Sequence, residues 1–162
     1  MTRQQSDYLL LKDLCVALSC TAEDLTKNGY TSLTKQSQNV VITHLTHDSR
    51  QVTPGALYVA LNGRRVNGVS FVPQALAKGA SVIIAPKVHR SQLQQMISTD
   101  ITIPIIWIDH PRKRLGELSD LIYGSPSTKL KMVGVTGTNG KTSVCTLLAS
   151  IIEQAEGLLP AQ

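Results

Sequence analysis

Aromatic side chains are scarce in this chain of 162 residues, since they make up 4% of it with a single tryptophan and a single phenylalanine. Proteins that bind nucleic acid usually present stacking aromatics or a broad basic stripe. The only dense basic run here is Arg112-Lys113-Arg114. We therefore expect no nucleic-acid partner, and interpret the formal net charge of +5 as suited to a small anionic ligand.

Long apolar runs are also scarce, and we expect no secretory leader. No apolar stretch reaches the length needed to cross a bilayer. The first residues, Met1 to Asp7, are mixed and charged, unlike a secretory signal. We expect a cytoplasmic protein with no membrane partner. Its three cysteines, Cys15, Cys20 and Cys145, cannot all pair with one another, and we expect buried reduced thiols.

The most informative motif lies near the C-terminal end of the chain. An apolar run from Met132 to Val135 precedes Thr136-Gly137-Thr138-Asn139-Gly140-Lys141-Thr142-Ser143, and helical spacing follows from Lys141 to Ala155. Strand, glycine-bearing turn and helix in this order are typical of a phosphate-binding loop. Glycines let the backbone approach a phosphate, and the N–H groups at the helix start face the anion. A lysine charge and a magnesium-binding hydroxyl complete the expected site.

One departure limits this interpretation, and one alternative stays open. Val135 stands where the strict pattern requires glycine, so the bare motif is the shorter Gly-x-x-Gly-Lys-Thr. The alternative is a glycine-rich turn whose lysine is only a solvated charge.

The string from Val135 to Thr142 resembles the ATP loop of the Mur ligase family, whose members add amino acids to the peptide stem of the cell-wall precursor. Thr138 and Asn139 resemble the residues found at these positions in the members that add the third residue. The resemblance implies ATP and Mg²⁺ as cofactors, Lys141 as a catalytic residue that stabilises the transferring phosphate, and Thr142 as the metal ligand. The implied ATP contacts are Gly137, Thr138, Asn139, Gly140, Lys141, Thr142 and Ser143.

A second block agrees with the same family. It contains Asp48-Ser49-Arg50, a Pro54-Gly55 turn, a strand over 56–61, turns at Asn62-Gly63 and Asn67-Gly68, and a helix over 73–78. This order resembles the N-terminal domain of Mur ligases, with Asn67 in place of the usual aspartate. The resemblance implies that the domain holds the UDP part of a UDP-N-acetylmuramoyl (UDP-MurNAc) dipeptide through His47, Ser49, Arg64, Arg65 and Val66.

Without the resemblance this block predicts less. Asp48-Ser49-Arg50 is equally typical of a surface ion pair beside a turn hydroxyl. The pair Arg64-Arg65 is more often a solvated loop than an anion clamp, although arginine forks suit a pyrophosphate.

Apolar periodicity along the chain predicts an α/β fold, with a mixed or partly parallel sheet flanked by helices. Beyond the block above, we expect helices over 7–18, 91–97 and 111–123 and strands over 40–42, 80–85 and 103–108. Pro104 suggests a sheet edge. We place a linker at Tyr123-Gly124-Ser125-Pro126, which separates a UDP-MurNAc-binding domain (1–126) from the first strand, P-loop and helix of a truncated ATP-binding domain (127–162).

The functional expectation follows from the resemblance. It implies the N-terminal part of a ligase that activates a carboxylate as an acyl phosphate and joins it to an amino-acid substrate. The product would be UDP-MurNAc-L-Ala-D-Glu extended by diaminopimelate or lysine, with meso-diaminopimelate favoured, and the part alone would be inactive. The alternative is a stand-alone, non-catalytic UDP-sugar or nucleotide-binding module; an unrelated P-loop kinase or GTPase is more distant.

Overall fold

The computed structural model describes residues 8–19, 39–63, 66–97 and 103–156. The chain divides into two compact units, Met1–Pro126 and Ser127–Gln162. Each unit is described by itself below. The loop predicted between Thr21 and Asn39 lies almost wholly outside the described residues.

The described part of the first unit alternates strands and helices. Its strands are β1 Leu9–Leu10, β2 Val41–Ile42, β3 His44–Thr46, β4 Ala56–Val59, β5 Val82–Pro86 and β6 Ile105–Ile108. Its helices are α1 Leu11–Ala17, α2 Val72–Ala77, α3 Arg90–Met96 and α4 Pro111–Tyr123. Short 3₁₀ turns occupy Ser49–Gln51, Gly68–Phe71 and Lys87–His89.

Four strands form one parallel sheet in the order β3-β4-β5-β6. The predicted α/β fold is confirmed, and antiparallel pairing is confined, among the described strands, to the short pair β1 and β2. In the described part of the sheet β6 is an edge strand, which agrees with Pro104 just before it. Proline lacks the backbone N–H that a ladder requires, and it is tolerated at an edge because no further strand needs that donor.

Successive side chains of β4 and the residue after it point to opposite faces of the sheet, and each face belongs to a separate hydrophobic core. Leu57 and Val59 pack on one face of the sheet with α1 and α4. Tyr58 and Ala60 lie on the other face with residues of α2 and α3. Every residue of β4, β5 and β6 is buried, as expected for a parallel sheet that is covered on both sides.

The turn into β4 depends on glycine. Gly55 has a φ of +90°, and a Cβ at this position would lie 2.7 Å from the Oγ1 of Thr43. The Pro54-Gly55 turn expected from the sequence is therefore required by both backbone conformation and space. It directs the chain from the loop after β3 back into the sheet.

The second unit contains α5, Lys141–Glu156, which confirms the predicted helix. The predicted strand before it is wrong, because residues 131–137 pair with no other strand among the described residues. A strand is stabilised by its ladder with a neighbouring strand, so an apolar run without such a neighbour does not form one. Cys145 of α5 is exposed, contrary to the expectation of buried thiols, whereas Cys15 of α1 is buried.

Within the described ranges, no helix combines the length and the apolar character needed to cross a bilayer.

Candidate functional site

A cavity of about 620 Å³ lies in the first unit, at the carboxyl ends of β3 and β4. Ligands of open parallel sheets bind at this edge, where loops leave the strands. The volume is in the range of small-molecule sites. The lining residues are His47, Asp48, Ser49, Arg50, Tyr58, Leu61, Gly63, Val66, Gly68, Phe71, Gln74 and Arg112.

Ser49 is held in the wall of this pocket by the turn that follows β3. Asp48 caps the turn, because its Oδ1 accepts the Arg50 N–H at 2.9 Å. The Ser49 side chain is buried, and its Oγ donates to the Oε1 of Gln74 in α2 at 2.8 Å. Since the hydroxyl proton is used by Gln74, the oxygen of Ser49 can accept a hydrogen bond from a ligand N–H.

Asp48 and Arg50 form a forked ion pair beside Ser49. The Nε and Nη2 of Arg50 donate to the two carboxylate oxygens of Asp48 at 2.9 and 2.8 Å. These bonds lower the pKa of Asp48 to about 2 and raise the pKa of Arg50. The Arg50 side chain is 82% exposed, so its guanidinium remains a cation with donors at the mouth of the pocket. Lys78 fastens the turn by donating to the Arg50 carbonyl at 2.7 Å.

One wall of the pocket is formed by backbone. The Tyr58 hydroxyl donates to the Gly68 carbonyl at 2.9 Å, and burial raises the pKa of Tyr58 to about 12. Tyr58 is therefore a neutral donor throughout the physiological range. Gly68 lies against Leu61 so closely that a Cβ on it would be 2.6 Å from the Leu61 carbonyl oxygen.

Four residues, Asn62, Gly63, Val66 and Asn67, form what we call the rim of the pocket. Asn62 and Asn67 pair in an antiparallel bridge, and the Gly63 N–H donates to the Val66 carbonyl at 2.9 Å. Arg112, at the start of α4, donates from Nη2 to the Asn62 carbonyl at 3.3 Å. Gly63 and Val66 line the pocket.

The structure brings together three of the five residues expected to contact the UDP end of the ligand. His47, Ser49 and Val66 line the same pocket. Arg64 and Arg65 lie outside the described residues. The contacts themselves stay predictions.

Several pocket residues were not among the ligand contacts predicted from the sequence. They are Asp48, Arg50, Tyr58, Gln74 and Arg112, together with apolar and glycine positions of the lining. Their shared signal is position: most follow the carboxyl end of a parallel strand directly or one turn later. Arg112 was interpreted only as part of a basic run, although Pro111 at a helix start just after β6 places it at this edge.

The predicted phosphate loop forms a contiguous, exposed segment of the second unit. Gly137 and Gly140 have φ values of +153° and +75°, which suit glycine. The Nζ of Lys141 donates back to the carbonyls of Gly137 at 2.6 Å and Thr138 at 3.2 Å. The lysine would have to release these carbonyls to reach a phosphate. The remaining predicted contacts, Asn139, Thr142 and Ser143, are exposed in the same segment.

The first unit is similar to known proteins. A family model described as the Mur ligase family, catalytic domain, matches residues 41–123. The chain is 40% identical over 121 residues to the UDP-N-acetylmuramoyl-L-alanyl-D-glutamate–2,6-diaminopimelate ligase of Lactiplantibacillus plantarum, covering 73% of the chain and 22% of the relative. The enzyme of the same name from Streptomyces coelicolor is 39% identical over 115 residues, covering 71% and 22%.

A solved structure is also similar. It is the UDP-N-acetylmuramoylalanyl-D-glutamyl-2,6-diaminopimelate–D-alanyl-D-alanyl ligase of Acinetobacter baumannii, with a TM-score of 0.54 and 26% identity. The similarity covers 83% of the chain and 28% of that structure. The chain thus spans about a fifth of the length of the curated relatives it matches.

Proposed function

This chain belongs to the Mur ligase family, and we propose that it is the N-terminal part of an ATP-dependent ligase of peptidoglycan synthesis. The reaction proposed is the addition of a third amino acid, meso-diaminopimelate, to UDP-MurNAc-L-Ala-D-Glu through an acyl phosphate. The names of the two curated relatives support this choice of substrate. The proposal places the protein in the cytoplasm.

We propose that the pocket of the first unit (1–126) holds the uridine diphosphate end of this substrate. The observation that carries the proposal is that Ser49, Val66 and Arg112, which are far apart in sequence, line one pocket together with His47 and Arg50. A buried hydroxyl with a free lone pair suits the N–H edge of a pyrimidine. Two guanidinium groups at the mouth suit a pyrophosphate. Arg64 and Arg65 are proposed as further contacts.

The second unit (127–162) is proposed to carry the ATP loop. ATP would supply the phosphoryl group that activates the carboxylate, with Mg²⁺ on the Thr142 hydroxyl. The exposed backbone of residues 137–143 fits a polyphosphate, because nothing lies within 4 Å of the position of a Cβ on Gly140. Lys141 would stabilise charge on the transferring phosphate once it leaves the carbonyls it now contacts. We propose that residues 1–162 alone do not turn over.

Calorimetry with UDP-MurNAc-L-Ala-D-Glu tests the binding step, with Arg112→Gln and Lys113→Gln as a matched pair. Arg112 lines the pocket and Lys113 does not. Losing one charge-assisted contact should weaken binding about tenfold in Arg112→Gln, whereas Lys113→Gln should bind like the unmodified chain. Equal affinities for the two variants, or no binding by the unmodified chain, would refute the proposed pocket.

The ligase step has a separate test. Release of phosphate is measured with ATP, Mg²⁺, the UDP-MurNAc dipeptide and diaminopimelate. We expect none from this chain by itself. Turnover would show that residues 1–162 suffice. UDP-sugar binding combined with no affinity for ATP would favour a non-catalytic binding module instead.

A further inference from the structure

His89 contacts the pocket rim from a different part of the sheet. It ends the 3₁₀ turn after β5, and its imidazole is half-buried. The Nε2 of His89 lies 3.0 Å from the Nδ2 of Asn62. Both ring nitrogens lie 3.3 Å from the Nδ2 of Asn67. One imidazole therefore bridges the two residues that close the rim.

The orientation of the Asn67 amide is determined by its other contacts. Its Oδ1 accepts the Val69 N–H at 3.0 Å, and its Nδ2 also donates to the Oε1 of Gln92 at 3.3 Å. Asn67 therefore offers His89 only an N–H donor. The imidazole must supply a lone pair, which either neutral tautomer has and the imidazolium lacks. The bridge as it stands requires a neutral His89.

The charged groups around this bridge do not replace that lone pair. Arg112 of α4 donates to the Asn62 carbonyl and is itself a cation. Lys87, in the same 3₁₀ turn as His89, pairs with Asp109 at 3.4 Å, and Arg90 follows His89 as the first residue of α3. Among the described residues, Gly68–Phe71 and Gln92 also lie near the bridge, and they carry no charge. A proton on His89 would thus turn the bridge into a contact between donors.

We propose that His89 is a positioning residue, which holds the rim in place for the ligand and does so only when its imidazole is neutral. Its effect on the pocket passes through Asn62 and Asn67, whose backbone continues into the lining residues Gly63, Val66 and Gly68. The effect on ligand affinity rests on the proposed function, whereas the effect on the rim does not. Imidazoles ordinarily titrate between about pH 5 and pH 8, so affinity should fall on acidification.

Two measurements between pH 8 and pH 5.5 test the proposal. The first is amide hydrogen exchange at Gly63 and Gly68, whose N–H groups donate to Val66 and Leu61 at 2.9 Å each, corrected for the intrinsic pH dependence. The second is the Kd of UDP-MurNAc-L-Ala-D-Glu, whose pyrophosphate does not titrate in this range. Both protection and affinity should fall about fivefold at the acidic end.

Variants separate His89 from other histidines. His89→Gln keeps an acceptor and should preserve affinity while removing this pH dependence; His89→Leu should be weak at every pH. Asn67→Asp leaves an acceptor for Val69 and offers His89 a carboxylate, so its dependence should reverse and favour acidic pH. His44→Gln, whose imidazole contacts Thr43 and Thr53 instead, should behave like the unmodified chain. All of these variants retain His47 in the pocket, so its contribution is common to them and cancels in the comparison.

Equal pH profiles for the unmodified chain and His89→Gln would overturn the proposal, as would an unchanged sign in Asn67→Asp. If the ligand does not bind at all, the proposed function fails, and the exchange at Gly63 and Gly68 still decides the role of His89.

Discussion

The two units of this chain both contain recognisable sequence motifs, yet they differ in how far their apolar side chains are buried. In the first unit Leu57, Ile84 and Ile106 are fully buried. In the second unit Leu147 and Ile151 of α5 are 65% and 63% exposed. A helix and a glycine-rich loop form in both. Among the described residues, a sheet that is covered on both faces packs against them in the first unit alone.

The difference separates local from long-range causes of structure. Helical spacing and glycine conformations act over a few residues, so they determine α5 and the loop before it wherever they occur. Burial requires a second layer from elsewhere in the chain. A motif can therefore be recognisable in sequence and still lack the packing on which its function depends.

The largest expected difference is between two matched leucine truncations. Leu57→Ala should lower the free energy of unfolding by about 2–5 kcal/mol, because it leaves a cavity in a fully buried site. Leu147→Ala should change it by less than about 0.5 kcal/mol. Urea unfolding followed by circular dichroism measures both. A comparable loss in Leu147→Ala would mean that the apolar face of α5 is covered in solution.

Hydrogen exchange compares the same regions without mutation. Amides from Val144 to Ile152 should exchange at least about 100-fold faster, relative to their intrinsic rates, than those of β4 and β5. A helix of this length is marginal without packing, whereas core strands open only with global unfolding. Strong protection across α5 would contradict the comparison.

Two glycines give a smaller contrast inside the first unit. Gly68→Ala should destabilise by about 1–3 kcal/mol and weaken ligand binding, since its Cβ would overlap the Leu61 backbone. Gly116→Ala has nothing within 4 Å and lies in α4, so it should stabilise by about 0.5–1 kcal/mol. Thermal unfolding of the pair checks both signs. A neutral Gly68→Ala would show that the wall of the pocket yields.

The smallest effect concerns Asp48 and acidification. Its folded-state pKa is about 2 against an ordinary 3.8, so the stability it contributes is present above about pH 4 and is lost as the pH falls toward 2. A carbon-13 titration of the Asp48 carboxyl measures this pKa. In Arg50→Gln it should return toward 3.8, because the Arg50 side chain is the main cause of the shift. No change would mean that the pair does not form in solution.

Much of the first unit could be predicted from sequence because its signals are local. The bounds predicted for α4, Pro111 to Tyr123, are those observed, and the buried strands over 56–61, 80–85 and 103–108 overlap β4, β5 and β6. The pairing of β1 with β2 was not foreseen, since it joins segments about 30 residues apart. The strand predicted before Gly137 was wrong for the same reason. A strand requires a pairing partner, and the local sequence pattern does not show whether one is present.

The site was less predictable than the fold. His47, Ser49 and Val66 were proposed from family resemblance, and spacing alone left Ser49 as a turn hydroxyl. Arg112 and His89 were missed because their relation to the rim exists only after β5 and β6 have placed them beside it. Side chains that act through a third residue leave no periodic signal.

Tyr58 has one further consequence for how the sheet assembles. The Tyr58 hydroxyl donates to the Gly68 carbonyl on one face of the sheet. The side chains of its neighbours Leu57 and Val59 lie on the other face and have no polar atom. A shift of β4 by one position would place the Tyr58 phenol in the apolar layer beneath α1 and α4, where its hydroxyl would lose the Gly68 carbonyl as a partner. The hydroxyl of Tyr58 thus favours the observed register of β4, and it does so without any bound ligand.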